Sequence, residues 1–387
     1  MKKLIAIAVV FALVVGVAFA VDLGGSVVTR ADLLKGETDN DDIMAFGVFE
    51  AIRLEGSGES GDGKFGGWIR FDPLNGDAYM TSASGVAWWK PIDQFKLSLG
   101  GNGGDGFWGK EGVTGWMFNQ KANDNFAVNG GMWFGSWGGS STWGADGPFH
   151  TRYTFFEGFV INGLMLEIKP LDMVGINIAI PYTQAQYGPD VKLEDLFKAV
   201  IAQVDLNFDF GNIAISYDGG GRAVTNFGDE GAIFVYYGGS FGDLSLDIGF
   251  SYHLAKDDAV AVPPIGFGLG LKYASGDFGV KFRATAALGG DKLYENQTFV
   301  NVGVLPYYAF SDSVAAFLNA GIGMLAGKDD SYTGFFINPY LRVGAEWGPS
   351  FYIGFQLEQG LAKDGNMMSG EKSFVTWKVP IAIMVGF

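Results

Sequence analysis

Charged side chains recur at alternate positions within apolar segments, and that spacing suggests a chemistry. Asp205 and Asp209 stand among Val204, Leu206, Phe208 and Phe210, Asp247 between Leu246 and Ile248, and Lys272 between Leu271 and Tyr273. Lys281 and Arg283 flank Phe282, and Arg70, Lys96, Arg342, Glu346, Glu358 and Lys378 each follow an apolar residue in the same way. Collected on one polar face, opposed charges of both signs set up a transverse field that orders water and selects polar over apolar solutes. Singly, each is what any solvated interior would carry.

Bond-making chemistry finds little support. The chain has two histidines, His150 and His253, and no recognisable nucleophile motif beside either, so no enzyme is expected. It has no cysteine, which excludes disulfides, thiolate metal sites and lipid attachment at a cysteine. The stretch GGNGGDGFW at 100–108 fits the calcium-binding nonapeptide by letter, but that motif works only as stacked repeats and one copy is present. No cofactor or metal is implied. Trp133, Trp137 and Trp143, among Gly and Ser at 130–149, could stack on sugar rings, or serve as girdle or loop-packing aromatics.

The elements that must position the charges are strands. In 204–218 the apolar set Leu206, Phe208, Ile213 and Ile215 alternates with Asp205, Asn207, Asp209 and Ser216, and Gly211-Asn212 reads as a tight turn between two strands. The same period of two runs through 244–254, 265–273, 278–288, 350–359 and 375–387. Strands of about ten residues suit a tilted membrane crossing. Short connections, as at 241–243, 275–277 and 311–313, alternate with long ones, as at 219–230, 255–263 and 360–373.

The segment 184–203 breaks the pattern: after Pro189, Asp190 can cap a short helix whose apolar stripe includes Leu193, Leu196, Phe197 and Val200. On the long-connection side, it could fold inward as a constriction loop or cap a neighbouring hairpin.

The first twenty residues carry Lys2 and Lys3, an apolar run and Ala18-Phe19-Ala20, the pattern of a cleaved signal peptide. The expected division is a signal peptide over 1–20 and one strand-built domain over 21–387. Removing the two lysines takes the formal charge from -16 to -18, which argues against nucleic-acid binding. Gly makes up 61 of 387 residues and aromatics 15%, with 18% charged, a balance unlike that of an ordinary soluble enzyme.

These features together resemble the bacterial outer-membrane β-barrel proteins of the porin type. The resemblance is one of architecture and covers the mature chain: the leader, the strand meander, the short and long connections, and the terminal strand VTWKVPIAIMVGF ending in Phe387. It implies that Phe387 is the assembly signal read by the barrel-insertion machinery. A sandwich of so many strands would leave long apolar edges that closure removes, and its outer face would meet water with long charged side chains. Instead the polar faces are small, as at Gly266, Gly268 and Gly270.

The expected fold is therefore all-β, a transmembrane antiparallel up-and-down barrel of 16 to 20 strands, with twenty the direct tally. The expected function is passive diffusion of small hydrophilic solutes or ions through a polar lumen in the outer membrane, with the surrounding lipid as partner and an oligomer possible. The alternative is a surface adhesin or structural barrel with a plugged lumen. A transporter for an apolar ligand would need an apolar lining that the polar faces do not show.

Overall fold

The computed structural model describes residues 20–37, 40–44, 48–75, 78–100, 163–181, 192–198, 200–219, 231–254, 265–288, 298–326, 331–345, 349–360 and 374–386. At some strand positions, Arg70, Arg283, Glu358 and Lys378 among them, only the backbone is described. Residues 1–19 of the leader and Phe387 lie outside these residues.

β1 (Ala20–Glu37) returns through β2 (Asn40–Met44) and β3 (Val48–Glu59), followed by β4 (Phe65–Asn75), β5 (Ala78–Ile92) and β6 (Phe95–Gly100). After the segment 101–162 come β7 (Gly163–Leu171), β8 (Val174–Pro181), the short helix α1 (Leu193–Lys198), β9 (Ile201–Phe208) and β10 (Gly211–Asp218). β11 (Ala232–Phe241), β12 (Leu244–His253), β13 (Ile265–Ser275), β14 (Phe278–Leu288) and β15 (Thr298–Ser311) continue the meander. β16 (Val314–Ala326), β17 (Ser331–Gly344), β18 (Ser350–Gly354), β19 (Gln356–Gly360) and β20 (Phe374–Gly386) complete it.

All pairings are antiparallel, and β1 closes the ring by pairing with β3 on one side and β20 on the other. A closed ladder satisfies its own backbone groups, the condition a sheet must meet to stand in hydrocarbon. Two staves are each interrupted once. β2 pairs with the end of β1 and β3 with its start, while β18 and β19 both run between β17 and β20. At the second interruption the Phe355 N–H bonds to the Pro339 carbonyl at 3.0 Å, and Asn338 Nδ2 donates to the Phe355 carbonyl at 3.0 Å. Among the described residues the twenty segments thus make eighteen staves, inside the expected range.

The direct tally includes a strand pair around a turn at 120–125, which lies outside the described residues. Closure does not need it, because β6 pairs directly with β7 from Phe95↔Ile168 to Gly100↔Gly163.

Short turns at 93–94, 172–173, 209–210, 242–243, 276–277 and 312–313 line one end of the barrel. Gly242 and Gly276 open two of them with φ of 62° and 55°, a region that costs other residues steric strain and whose turn twist matches the flanking strands. The expected turn at Gly211-Asn212 lies two residues earlier. Gly211 pairs with Phe208, so Asp209 and Phe210 make the turn and Asn212 stands on the ladder opposite Asn207. Asp stabilises a turn through its side chain, and that local preference outweighs the apolar alternation that placed Phe210 in the strand.

Exposure alternates with the strand period. In β6, Ser98 is 0% exposed and Leu99 51%. The outward residues are large and apolar, among them Ile69, Leu99, Ile215, Ile248, Phe267, Ile337 and Ile383. At the short-turn end they become mostly aromatic: Phe65, Phe210, Phe241, Phe278, Tyr308 and Phe310. This is the apolar band and aromatic girdle of a lipid-facing wall. Tyr307 and Tyr340 face inward: both pair in register with Phe317, and Tyr340 is buried.

Candidate functional site

The inner wall is the only surface a solute inside the barrel would meet, and it changes character around the ring. From β4 to β9 it carries a buried apolar cluster of Trp68, Val86, Met165, Ala179 and Ile201, with Trp88 packed against it. The Trp88 ring lies over Gly66, where a Cβ would collide with it. This corrects the expectation of a uniformly small polar lining. Here both faces of the strands are apolar, as in GLMLEIKPL of β7, so alternation could not reveal which large residues point inward.

Set into the same arc is an ion pair, Lys96 Nζ to Glu167 Oε2 at 3.3 Å, with side chains only 13% and 6% exposed. Lys96 Nζ also sits 5.1 Å from the centre of the Trp88 ring, close enough for a cation–π attraction. Glu167 was missed in the sequence reading although it stands between Leu166 and Ile168, the same signal that singled out Lys96 on the neighbouring strand.

Next around the ring, β8 to β10 present carboxamides. Asn177 Nδ2 donates to Asp205 Oδ2 at 3.0 Å and Gln203 Nε2 to both Asp205 oxygens at 2.9 and 3.0 Å. Nearer the short turn, Asn212 Nδ2 donates to Asn207 Oδ1 at 2.8 Å. Asn207 is expected on the polar face and Asn212 in the turn, whereas nothing in the sequence singles out Asn177 or Gln203.

From β11 to β14 the wall is nearly bare: Gly249, Gly266, Gly268, Gly270 and Gly279 are buried in it. Tyr236 donates its hydroxyl to Asp247. Lys272 is exposed and stands directly opposite Lys281 in the ladder, so two like charges share one short stretch. On β15 to β17, Tyr307, Phe317 and Tyr340 form a stack with ring centres 5.7 and 4.6 Å apart, and Arg342 lies 5.5 Å from the Phe317 ring.

Of the charges singled out in sequence, Lys96, Asp205, Asp247, Lys272, Lys281 and Arg342 thus stand on one face, spread over six staves. Asp209 does not join them; it is in the 209–210 turn. In the ladder Arg70 is opposite Glu55 and Ser84, Arg283 opposite Gly270 and Gly303, Glu358 opposite Phe336 and Thr376, and Lys378 opposite Lys35 and Gln356. Glu346 lies outside the described residues, as do Asp190, His150 and the three tryptophans of 130–149. Helix α1 spans six residues and lies beside β8. Leu193 and Phe197 are 70% and 64% exposed, Val200 follows the helix, and the side chain of Leu196 is outside the described set.

Among the described residues no three His, Asp or Glu converge as a metal site would require. At the short-turn end Asp62 is held below the ordinary carboxylate range by the Ser60 hydroxyl and the Lys64 amide, and Asp93 by the Lys90 ammonium at 2.9 Å.

No protein-family model matches the chain, and no curated protein sequence matches it. Solved structures do. An anion-selective porin from Comamonas acidovorans superposes with a TM-score of 0.51 at 11% identity, covering 95% of this chain and 99% of that one. OmpT, an outer membrane protein of Vibrio cholerae in its trimer form, gives 0.48 at 15% identity over 96% and 100%. The outer membrane channel DcaP of Acinetobacter baumannii gives 0.45 at 12% identity over 95% and 97%. The likeness to the Comamonas porin and the closed antiparallel ladder together show that this chain has the porin-type β-barrel fold.

Proposed function

We propose that the protein is an outer-membrane channel through which small hydrophilic solutes and ions diffuse passively. The observation that carries this reading is the closed ring of eighteen staves with an apolar band outside. Barrels of about 16 to 18 strands are too wide for their own side chains to fill and leave an aqueous path. Solute selection falls to the inner-wall charges, the cations Lys272, Lys281 and Arg342 on β13, β14 and β17 and the carboxylates Glu167 and Asp205 on β7 and β9. The partners on this reading are outer-membrane lipid, the insertion machinery at Phe387, and the solutes themselves.

A plugged lumen is the second reading, and one observation favours it: Ser98 and Met165 on the inner wall are 0% exposed, so that arc is covered rather than bathed in water. Purified protein reconstituted into a planar bilayer distinguishes the two. Stepwise conductance is expected of the channel. A folded, inserted barrel that leaves the bilayer sealed overturns it in favour of the plugged form.

A further inference from the structure

A hollow of about 200 Å³ opens on the inner wall near the short-turn end. Gly175, which stands opposite Asp205 in the ladder, lines it with Asn177, Asp205, Asn207 and Asn212, and Lys169 and Asp172 line it from the adjoining turn, beside Ile168 and Val174. Its polar side chains are thus three carboxamides, two carboxylates and one ammonium, of which the carboxamides and Asp205 surround a residue with no side chain.

The two deepest polar groups are fixed. Asn177 and Gln203 are 5% and 2% exposed, and both give their amide N–H groups to Asp205. That leaves Asn177 Oδ1 without a bond from any described protein group. Asn212 likewise spends an N–H on Asn207 Oδ1, which leaves Asn207 Nδ2 and Asn212 Oδ1 unused. Acceptor, donor and acceptor therefore border one hollow beside the Asp205 carboxylate.

We infer that this hollow is a binding site for a polyhydroxylated, uncharged solute, a sugar or polyol. Vicinal hydroxyls both donate and accept at short spacing, as this lining requires, and an amide fixed in place loses little freedom on binding. A divalent cation fits less well, because the Asp205 oxygens already accept three N–H contacts at 2.9 to 3.0 Å. Monovalent ions would pass the site without using its geometry. This inference rests on the channel reading for its role, though not for its binding chemistry.

Two measurements keep those apart. Glucose titrated calorimetrically into the refolded barrel in detergent should give saturable binding, and glucose added to bilayers holding the open channel should produce current blockades. Gly175→Leu should abolish both: a Cβ there meets Asp205 Cβ at 3.5 Å, ordinary contact, so the longer side chain fills the hollow. Asp205→Asn should weaken binding roughly tenfold, the worth of one charge-assisted hydrogen bond. Asn207→Ala, at the exposed rim and the variant least able to disturb folding, should weaken it severalfold. Sugar binding that all three variants leave unchanged overturns the site, as does saturable calcium binding in place of glucose. Conductance without sugar binding overturns the site and leaves the channel. Sugar binding lost in Gly175→Leu, in a barrel that never conducts, keeps the site and removes the channel.

Discussion

The inner wall from β4 to β9 and the inner wall from β11 to β14 are built from the same kind of ladder and could hardly differ more. The first carries Trp68, Val86, Met165 and Ile201, buried as in a packed domain. The second carries a row of glycines with Asp247, Lys272 and Lys281 among them. Strand pairing places no demand on what faces inward. Closure alone decides that these residues share one enclosed space, so each arc can be shaped separately, one as a packed core and one as a bare, charged wall.

The largest effect that would break this comparison is expected at Met165. Met165→Asp places an unpaired charge in the covered arc and should cost more than about 4 kcal/mol, read as loss of the folded barrel in urea titrations followed by tryptophan fluorescence. If Met165→Asp folds normally, the arc is not a core. Glu167→Ala, which strands Lys96 in the same arc, should cost about 3 kcal/mol, and Lys96→Met combined with Glu167→Leu should recover most of it.

On the outer face the same contrast is set by depth. Ile248→Lys, mid-strand and lipid-facing, should cost about 2 to 3 kcal/mol, whereas Phe208→Lys, the last residue before a turn, should cost about 1 kcal/mol or less. Refolding yield into lipid vesicles reads both. In the bare arc, Lys272→Glu should leave stability within roughly 0.5 kcal/mol and shift the bilayer reversal potential toward cations. A shift equal to that of a charge change in the outer girdle would mean that Lys272 does not meet the permeating ions.

The smallest effect concerns a turn. Asp62 is held below its ordinary pKa, so its bond to the Lys64 amide at 3.2 Å is fully present above about pH 4 and lost as pH falls through the lowered value. Asp62→Asn should speed exchange of the Lys64 amide hydrogen at neutral pH and remove its change at low pH.

Much of this was legible in the chain. Alternation in 244–254 and 265–288 locates β12, β13 and β14 to within a residue or two, and places Asp247 and Lys281 on the polar face. It misplaced the turn of the β9–β10 hairpin because Phe210 continues the apolar phase, and only the pairing of Gly211 with Phe208 shows that the phase restarts. It failed in β5 and β7, where both faces are apolar and a period of two has no contrast to report. Lys96 and Glu167 illustrate the rest: each could be read as polar on an apolar strand, but nothing in 95–100 or 163–171 says that these strands are neighbours.

That the chain forms amphipathic strands with an apolar face long enough for lipid follows from residue order, because side chains alternate about a strand regardless of its partner. How many staves close the ring, which strands meet across the 101–162 segment, and which amides gather beside Gly175 emerge from the folded pairing. Those depend on pairings between residues far apart in the chain, and backbone hydrogen bonds between strands are the same whatever side chains they carry.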